Sequence, residues 1–263
     1  MFDWLERGQA DAVEATVAAL KANLASPALQ ERGARALATL TRTESSRERA
    51  GRAGAVEAIV ATMQRHLSTA SVVEQCCQAL RNMTSIADNK IKAGSAGAVE
   101  CVVAAMRAHA GHAGVQQHSC AALTNMTANN ADNAIKAGSA GAVECVVAAM
   151  RAHAGNVGVQ KRGCGALRKM TLHNDDNAIK AGSAGAVECV VAAMRAHAND
   201  ADVQKHGCMA LGSMTASNAD NRIKAGSAGA VECVVAAMRA HADDADVREH
   251  GRALLDRLGE ARH

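Results

Sequence analysis

The apolar positions of this chain recur at helical spacing. In the segment GAVECVVAAMRAH, Val143, Val146, Val147 and Met150 stand at i, i+3, i+4 and i+7, which is one face of an α-helix. In the following segment, VGVQKRGCGALRKMTLHN, Val159, Cys164, Ala166, Leu167 and Met170 share a face. The preceding DNAIKAG predicts a first helix of about two turns, stopped by Gly138 as a C′ residue. Glu144 in the first turn of the second helix, and Arg151 and His153 in its last, suit the helix dipole. Asn174 and Asp175 stand where they can cap the next first helix.

This arrangement repeats. The string IKAGSAGAVECVVAAMRAHA starts unchanged at Ile91, Ile135, Ile179 and Ile223, a period of 44 residues. Relaxed copies extend it backwards, because Val99 of GAVECVV matches Val56 of GAVEAIV and Val13 of DAVEATV. Six repeats, 2–44, 45–87, 88–131, 132–175, 176–219 and 220–263, then tile the chain as a single domain. Each is predicted to hold a short helix and two longer ones, and stacking supplies the core that no repeat buries alone. The one proline, Pro27, falls between two helical patterns of the first repeat.

Composition sharpens this picture. Phe2 and Trp4 are the only aromatic residues among 263, and the apolar stock is mainly Ala, Val, Met and Cys, which suits helices packed close together. Lys plus Arg number 29 against 26 for Asp plus Glu, so the dense basic footprint of a nucleic-acid binder is missing, as are stacking side chains. The N-terminus lacks a secretion leader pattern, and no apolar run approaches the roughly 18 residues that span a membrane. An intracellular protein, cytoplasmic or nuclear, is expected. Its nine cysteines are read as reduced thiols.

Three helices with a period in the low forties, a Gly between the first two and a third helix of the form x-A-L-x-N-M resemble the armadillo repeat of importin-α and β-catenin. The resemblance rests on IKAG-S-AGAVECVVAAM, on QALRNMT from Gln78 to Thr84 and on AALTNMT from Ala121 to Thr127. It implies an all-α, right-handed α-solenoid superhelix whose third helices line a concave groove. There it implies an Asn that hydrogen-bonds the backbone of an extended peptide, with a Trp four residues earlier. An amide suits that work because it offers a donor and an acceptor in one plane.

Counted from that Asn, the third helices differ among themselves. The Asn slot holds Thr39, Asn82, Asn125, Lys169, Ser213 and Arg257 along the chain, and the slot four earlier holds Arg35, Gln78, Ala121, Gly165, Met209 and Ala253. Eight earlier stand Glu31, Glu74, Gln117, Lys161, Lys205 and Glu249; one earlier stand Ala38, Arg81, Thr124, Arg168, Gly212 and Asp256. Three residues after the slot come Arg42, Ser85, Ala128, Leu172, Ala216 and Glu260. These slots fall on one face about 100° wide. The exposed face of the second helix, with Arg107, Ala108 and His109, does not drift, so free solvent exposure alone does not account for the variation.

The candidate binding residues are therefore Gln78, Arg81, Asn82, Gln117, Ala121 and Asn125, followed by Lys161, Arg162, Arg168, Lys169, Lys205, Met209 and Ser213. No repeat carries the Trp, and only Asn82 and Asn125 keep the amide, which argues against a nuclear-localisation peptide. The fourth repeat gathers Lys161, Arg162, Arg168 and Lys169 and would favour an acidic or phosphorylated segment.

Other chemistries fit less well. Cys145 and His153 recur eight residues apart, about 12 Å along one helix, so one metal ion cannot take both. No catalytic arrangement or phosphate loop stands at informative spacing, and no cofactor is expected. The leading expectation is a non-catalytic scaffold that binds a protein or peptide segment. An engineered or recently duplicated array without an evolved partner is the alternative, and an RNA-binding α-solenoid ranks behind both.

Overall fold

The structure, a computed structural model, describes residues 3–259, with side chains from Asp11 onwards. Phe2 and Glu260, and the side chain of Trp4, lie outside the described residues. Seventeen helices and no strand occur among these residues. Helices α1 (Asp3–Ala22) and α2 (Pro27–Leu40) come first. From there the helices run in triplets: α3 (Glu44–Ala53), α4 (Ala55–Arg65) and α5 (Ala70–Met83), then α6 (Ala87–Ser95), α7 (Ala98–Ala108) and α8 (Ala113–Thr127). The third triplet is α9 (Ala131–Ala140), α10 (Ala142–Ala152) and α11 (Val157–Thr171). It is followed by α12 (Asp175–Ser183), α13 (Ala186–Ala196) and α14 (Ala201–Thr215), and then by α15 (Ala219–Ser227), α16 (Ala230–Ala240) and α17 (Ala245–Gly259).

Two expectations are corrected. The first repeat has two helices, because one continuous 20-residue α1 replaces the short and second helices. Gly138 does not stop the first helix: α9 runs through it to Ala140, and the left-handed residue is Gly141, at φ 80°. Gly54, Gly97, Gly185 and Gly229 hold the same left-handed conformation, each standing immediately before the second helix of its triplet. The capping expectation holds for Asn174, whose side chain accepts from Asn177 N–H, while Asp175 lies inside α12 as a first-turn anion.

The helices pack as two compact units, one ending at Ala140 and the other beginning at Gly141. In the first, α5 packs against both α2 and α8; in the second, α14 packs against both α11 and α17. The core is made of small and flexible side chains. Val143, Val146, Val147 and Met150 on α10, and Val159, Cys164, Ala166, Leu167 and Met170 on α11, are all buried, as the helical spacing predicts.

Polar side chains that recur with the period tie one triplet to its neighbour. Asn89 donates to Arg47 O at 2.9 Å and Met83 O at 3.0 Å, and Asn133 repeats the pair on Lys90 O and Met126 O. In the second unit Asn221 donates to Ala178 O and Met214 O, both at 2.9 Å. Lys92, Lys136 and Lys224 reach Gly51 O, Gly94 O and Gly182 O. The imidazoles of His66, His109, His197 and His241 meet Leu24 O, Leu67 O, Ala154 O and Ala198 O. Most of these acceptors lie near helix ends or in loops, where carbonyls have no partner within a helix.

Candidate functional site

Arg107 and His109, offered above as an exposed face that had no reason to stay constant, do have one. Arg107 donates to Ala140 O at 2.7 Å and His109 contacts Leu67 O at 2.6 Å, each bridging to a neighbouring triplet. Arg151 and Arg195 repeat the bridge to Ala184 O and Ala228 O. Constancy of the second helix is thus structural, and comparison with it does not by itself mark the third-helix face as functional.

The geometry of the variable slots is a better guide. The Asn slot performs a backbone task of its own: Asn82 Nδ2 donates to Ala38 O, and Asn125 Nδ2 to Arg81 O, both at 2.7 Å. Both acceptors lie in the last turn of the preceding third helix, where carbonyls need an outside donor. Arg257 does the same from α17, its Nη1 donating to Gly212 O. Ser213 is too short to reach back in this way; its Oγ lies 2.8 Å from Thr171 Oγ1 and 2.9 Å from Ala210 O. The amides of Asn82 and Asn125 keep one N–H and the Oδ1 acceptor beyond this bond.

In the second unit the variable slots converge on one hollow of about 580 Å³ between α11, α14 and α17. Arg168 and Leu172 come from α11 and its C-terminal end, Met209, Gly212, Ser213 and Ala216 from α14 and its end, and Ala253 and Arg257 from α17. All eight occupy slots that change from repeat to repeat. Gly212, Ala216 and Ala253 put little or no side chain on the wall of this hollow. Thr171, His173, Ser217 and His250 add polar groups to its wall, and Asp175, which accepts from Ser217 Oγ, adds one carboxylate.

No protein-family model matches the chain, nor does any curated protein sequence. Solved structures do match. An engineered protein superposes with a TM-score of 0.82 at 24% identity, over 95% of this chain and 97% of its own. A designed armadillo repeat protein gives 0.79 at 20% identity, over 94% and 99% of the two chains. The fold is that of the armadillo repeats. A second designed armadillo protein, solved in complex with the peptide (KR)4, gives 0.77 at 19% identity over 94% and 99%.

Within this armadillo fold the candidate residues separate. In the first unit Gln78, Arg81 and Asn82 on α5 and Gln117 and Asn125 on α8 are half-buried, and Ala121 is buried. In the second, Arg168, Met209 and Ser213 meet in the hollow, whereas Lys161, Arg162, Lys169 and Lys205 are not on its wall. The fourth-repeat cations therefore do not line one hollow together. Lys161 pairs with Asp202, and Lys205 with Asp246, one triplet further on. The hydrogen bond from Lys161 holds the Asp202 carboxyl below the usual carboxylate range, and that from Lys205 does the same for Asp246. The same pairing raises the Lys205 ammonium above its ordinary value.

The candidate list left out Gly212, His173, Thr171, Ser217, His250 and Arg257, and also Leu172, Asp175, Ala216 and Ala253, all of which line the hollow. A partial signal was present: Gly212, Ala216 and Ala253 are small residues on neighbouring third helices, although Ala128, Ala121 and Gly165 are small at the same slots elsewhere. Among the described residues no group of three His, Cys, Asp or Glu side chains is placed to hold a metal ion. No helix among them is long and apolar enough to cross a membrane.

Proposed function

We propose that this armadillo chain is a non-catalytic interaction scaffold that takes an extended segment of a protein partner across the faces of its third helices. The observation that carries the reading is the convergence of the variable slots on one hollow, while the constant polar residues are engaged in holding triplets together. A surface that differs from helix to helix can read a sequence of side chains, and amides at the Asn slot, oriented by their bonds to the preceding helix, can meet the ligand backbone. That a designed armadillo relative was solved with a peptide supports the same mode.

Selection of peptides from a random displayed library against the intact protein tests the proposal. Binders should emerge, and most should be lost on Met209→Glu combined with Arg168→Glu while surviving Glu144→Gln and Glu188→Gln on the second helices. Binders insensitive to the third-helix changes and lost with the second-helix ones would move the site to the opposite face.

A recently duplicated or engineered array without an evolved partner is the second reading. It is favoured by the four identical 20-residue strings and by the engineered proteins among the structural matches. Failure of the library to yield any third-helix binder would favour it.

A further inference from the structure

The hollow of the second unit has walls of unusual chemistry for a face that reads side chains. Two guanidinium groups line it, Arg168 from α11 and Arg257 from α17, on helices that both pack against α14. Between them the α14 wall carries no side chain at Gly212, and a methyl there would only come into ordinary contact with Arg257 Nη1, at 3.6 Å. Arg257 uses Nη1 on Gly212 O, which fixes the guanidinium against α14 and leaves its other donors for a ligand. Arg168 has no ion-pair partner among the described residues. The imidazole of His250 and the hydroxyl of Ser213 lie on the same wall. Against these stands one carboxylate, Asp175, already accepting from Ser217.

Such a hollow wants an acceptor-rich anion. A carboxylate is planar and satisfies one arginine fork, whereas a phosphoryl group offers three acceptor oxygens in three directions, with close to two negative charges. Donors arriving from two flanking helices match the second geometry. The volume of about 580 Å³ admits a phosphorylated side chain together with the backbone that carries it. We infer that the α11–α14–α17 hollow is a seat for the phosphoryl group of a phosphorylated side chain on the bound segment. This rests on the peptide-binding reading above and names the residue class that the second unit selects. Phosphorylation of the partner then acts as the switch for docking, because the unmodified hydroxyl leaves both guanidinium groups without a counter-charge.

The test uses the intact protein and fluorescent degenerate nonapeptide pools with a fixed central Ser, Glu or phosphoserine, read by anisotropy at moderate salt. The phosphoserine pool should bind at least tenfold more tightly than the Ser pool and clearly more tightly than the Glu pool, with the steepest salt dependence. Arg168→Gln should remove that preference, so that the phosphoserine pool binds no more tightly than the Ser pool, while the thermal midpoint stays unchanged. Gly212→Met, which fills the hollow without changing charge, should also remove it. Inorganic phosphate should compete only at millimolar concentration; saturation at micromolar phosphate would make the hollow a free-anion site and overturn the peptide source. Equal binding of Ser and phosphoserine pools would overturn the seat and leave the scaffold reading standing. Binding of no pool at all would remove both. Preference surviving Arg168→Gln and Gly212→Met alike would place the phosphoryl group elsewhere.

Discussion

At the scale of single residues, the copied glycine of IKAG is explained by its neighbour rather than by its own backbone. A methyl on Gly94 would collide with Asn133 Oδ1, and Asn133 cannot swing away because its amide is held by Lys90 O and Met126 O. Gly226 occupies the same place in the string, yet a methyl there meets nothing within 4 Å. Gly94→Ala should therefore cost about 1 to 3 kcal/mol in urea denaturation through overpacking. Gly226→Ala should be neutral or stabilise by up to about 1 kcal/mol through helix propensity. Equal effects of the two would mean that the asparagine contact does not set the glycine. The thiols are likewise governed by burial. It pushes Cys77 up to about 12, against the lowering hydrogen bond of Ser119, and Cys208 also to about 12. A disulfide reagent at pH 8 should label the half-buried Cys101 and Cys145 first and Cys76, Cys77 and Cys208 far more slowly, with all nine accessible in guanidinium chloride. Early labelling of Cys77 would show that α5 opens readily.

At the scale of elements, the helical spacing and the 44-residue period carried the triplets, because a repeated apolar face leaves little choice of period. What the sequence did not reveal was where side chains find partners across triplets. Arg107 and His109 read as solvent-facing letters on one helix; only stacking puts Ala140 O and Leu67 O beside them. The cations of the fourth repeat are divided for the same reason. Lys161 and Arg168 look like one patch along α11, but Asp202 of the next third helix takes Lys161 and the hollow takes Arg168. Arg257 was legible as a departure from Asn, while its substitution for the amide bond was not. The Lys–Asp pairs give a measurable pH dependence. Because Asp202 is held below its usual range in the folded chain, the unfolded chain binds more protons in acid. The pair's stabilisation is present above the ordinary carboxylate pKa and fades as pH falls through the lower folded value. Lys161→Ala should lower the thermal midpoint slightly near neutral pH, as for a surface pair, and this difference should vanish near pH 2 and shrink in high salt. A difference that persisted unchanged at pH 2 would mean that Lys161 acts through packing of its stem.

At the scale of the molecule, near-verbatim repetition makes whole triplets removable. Deleting residues 176–219, which carry most of α12 with α13 and α14, joins Asp175 to Asp220 and recreates the Asn-Asp-Asp-Asn run found at Asn174 to Asn177. The bonds that hold the second unit recur with the period, so the new neighbours inherit them. Lys161 would face Asp246, the period equivalent of Asp202, and Arg151 would reach Ala228 O, which Arg195 holds in the intact chain. Nearest-neighbour coupling then predicts a shorter protein with the same mean helicity, still unfolding cooperatively but at a lower denaturant midpoint, since one interface between triplets is lost. Binding should respond differently from folding. The deletion removes Met209, Gly212, Ser213 and Ala216, so the hollow loses its α14 wall although Arg168 and Arg257 both remain. Far-UV circular dichroism should therefore register little change per residue while third-helix binders from the peptide library are lost from the second unit. A deletion that abolished helicity would show that the triplets are not interchangeable. One that kept full binding would show that the recognition surface does not depend on the slots that vary from helix to helix.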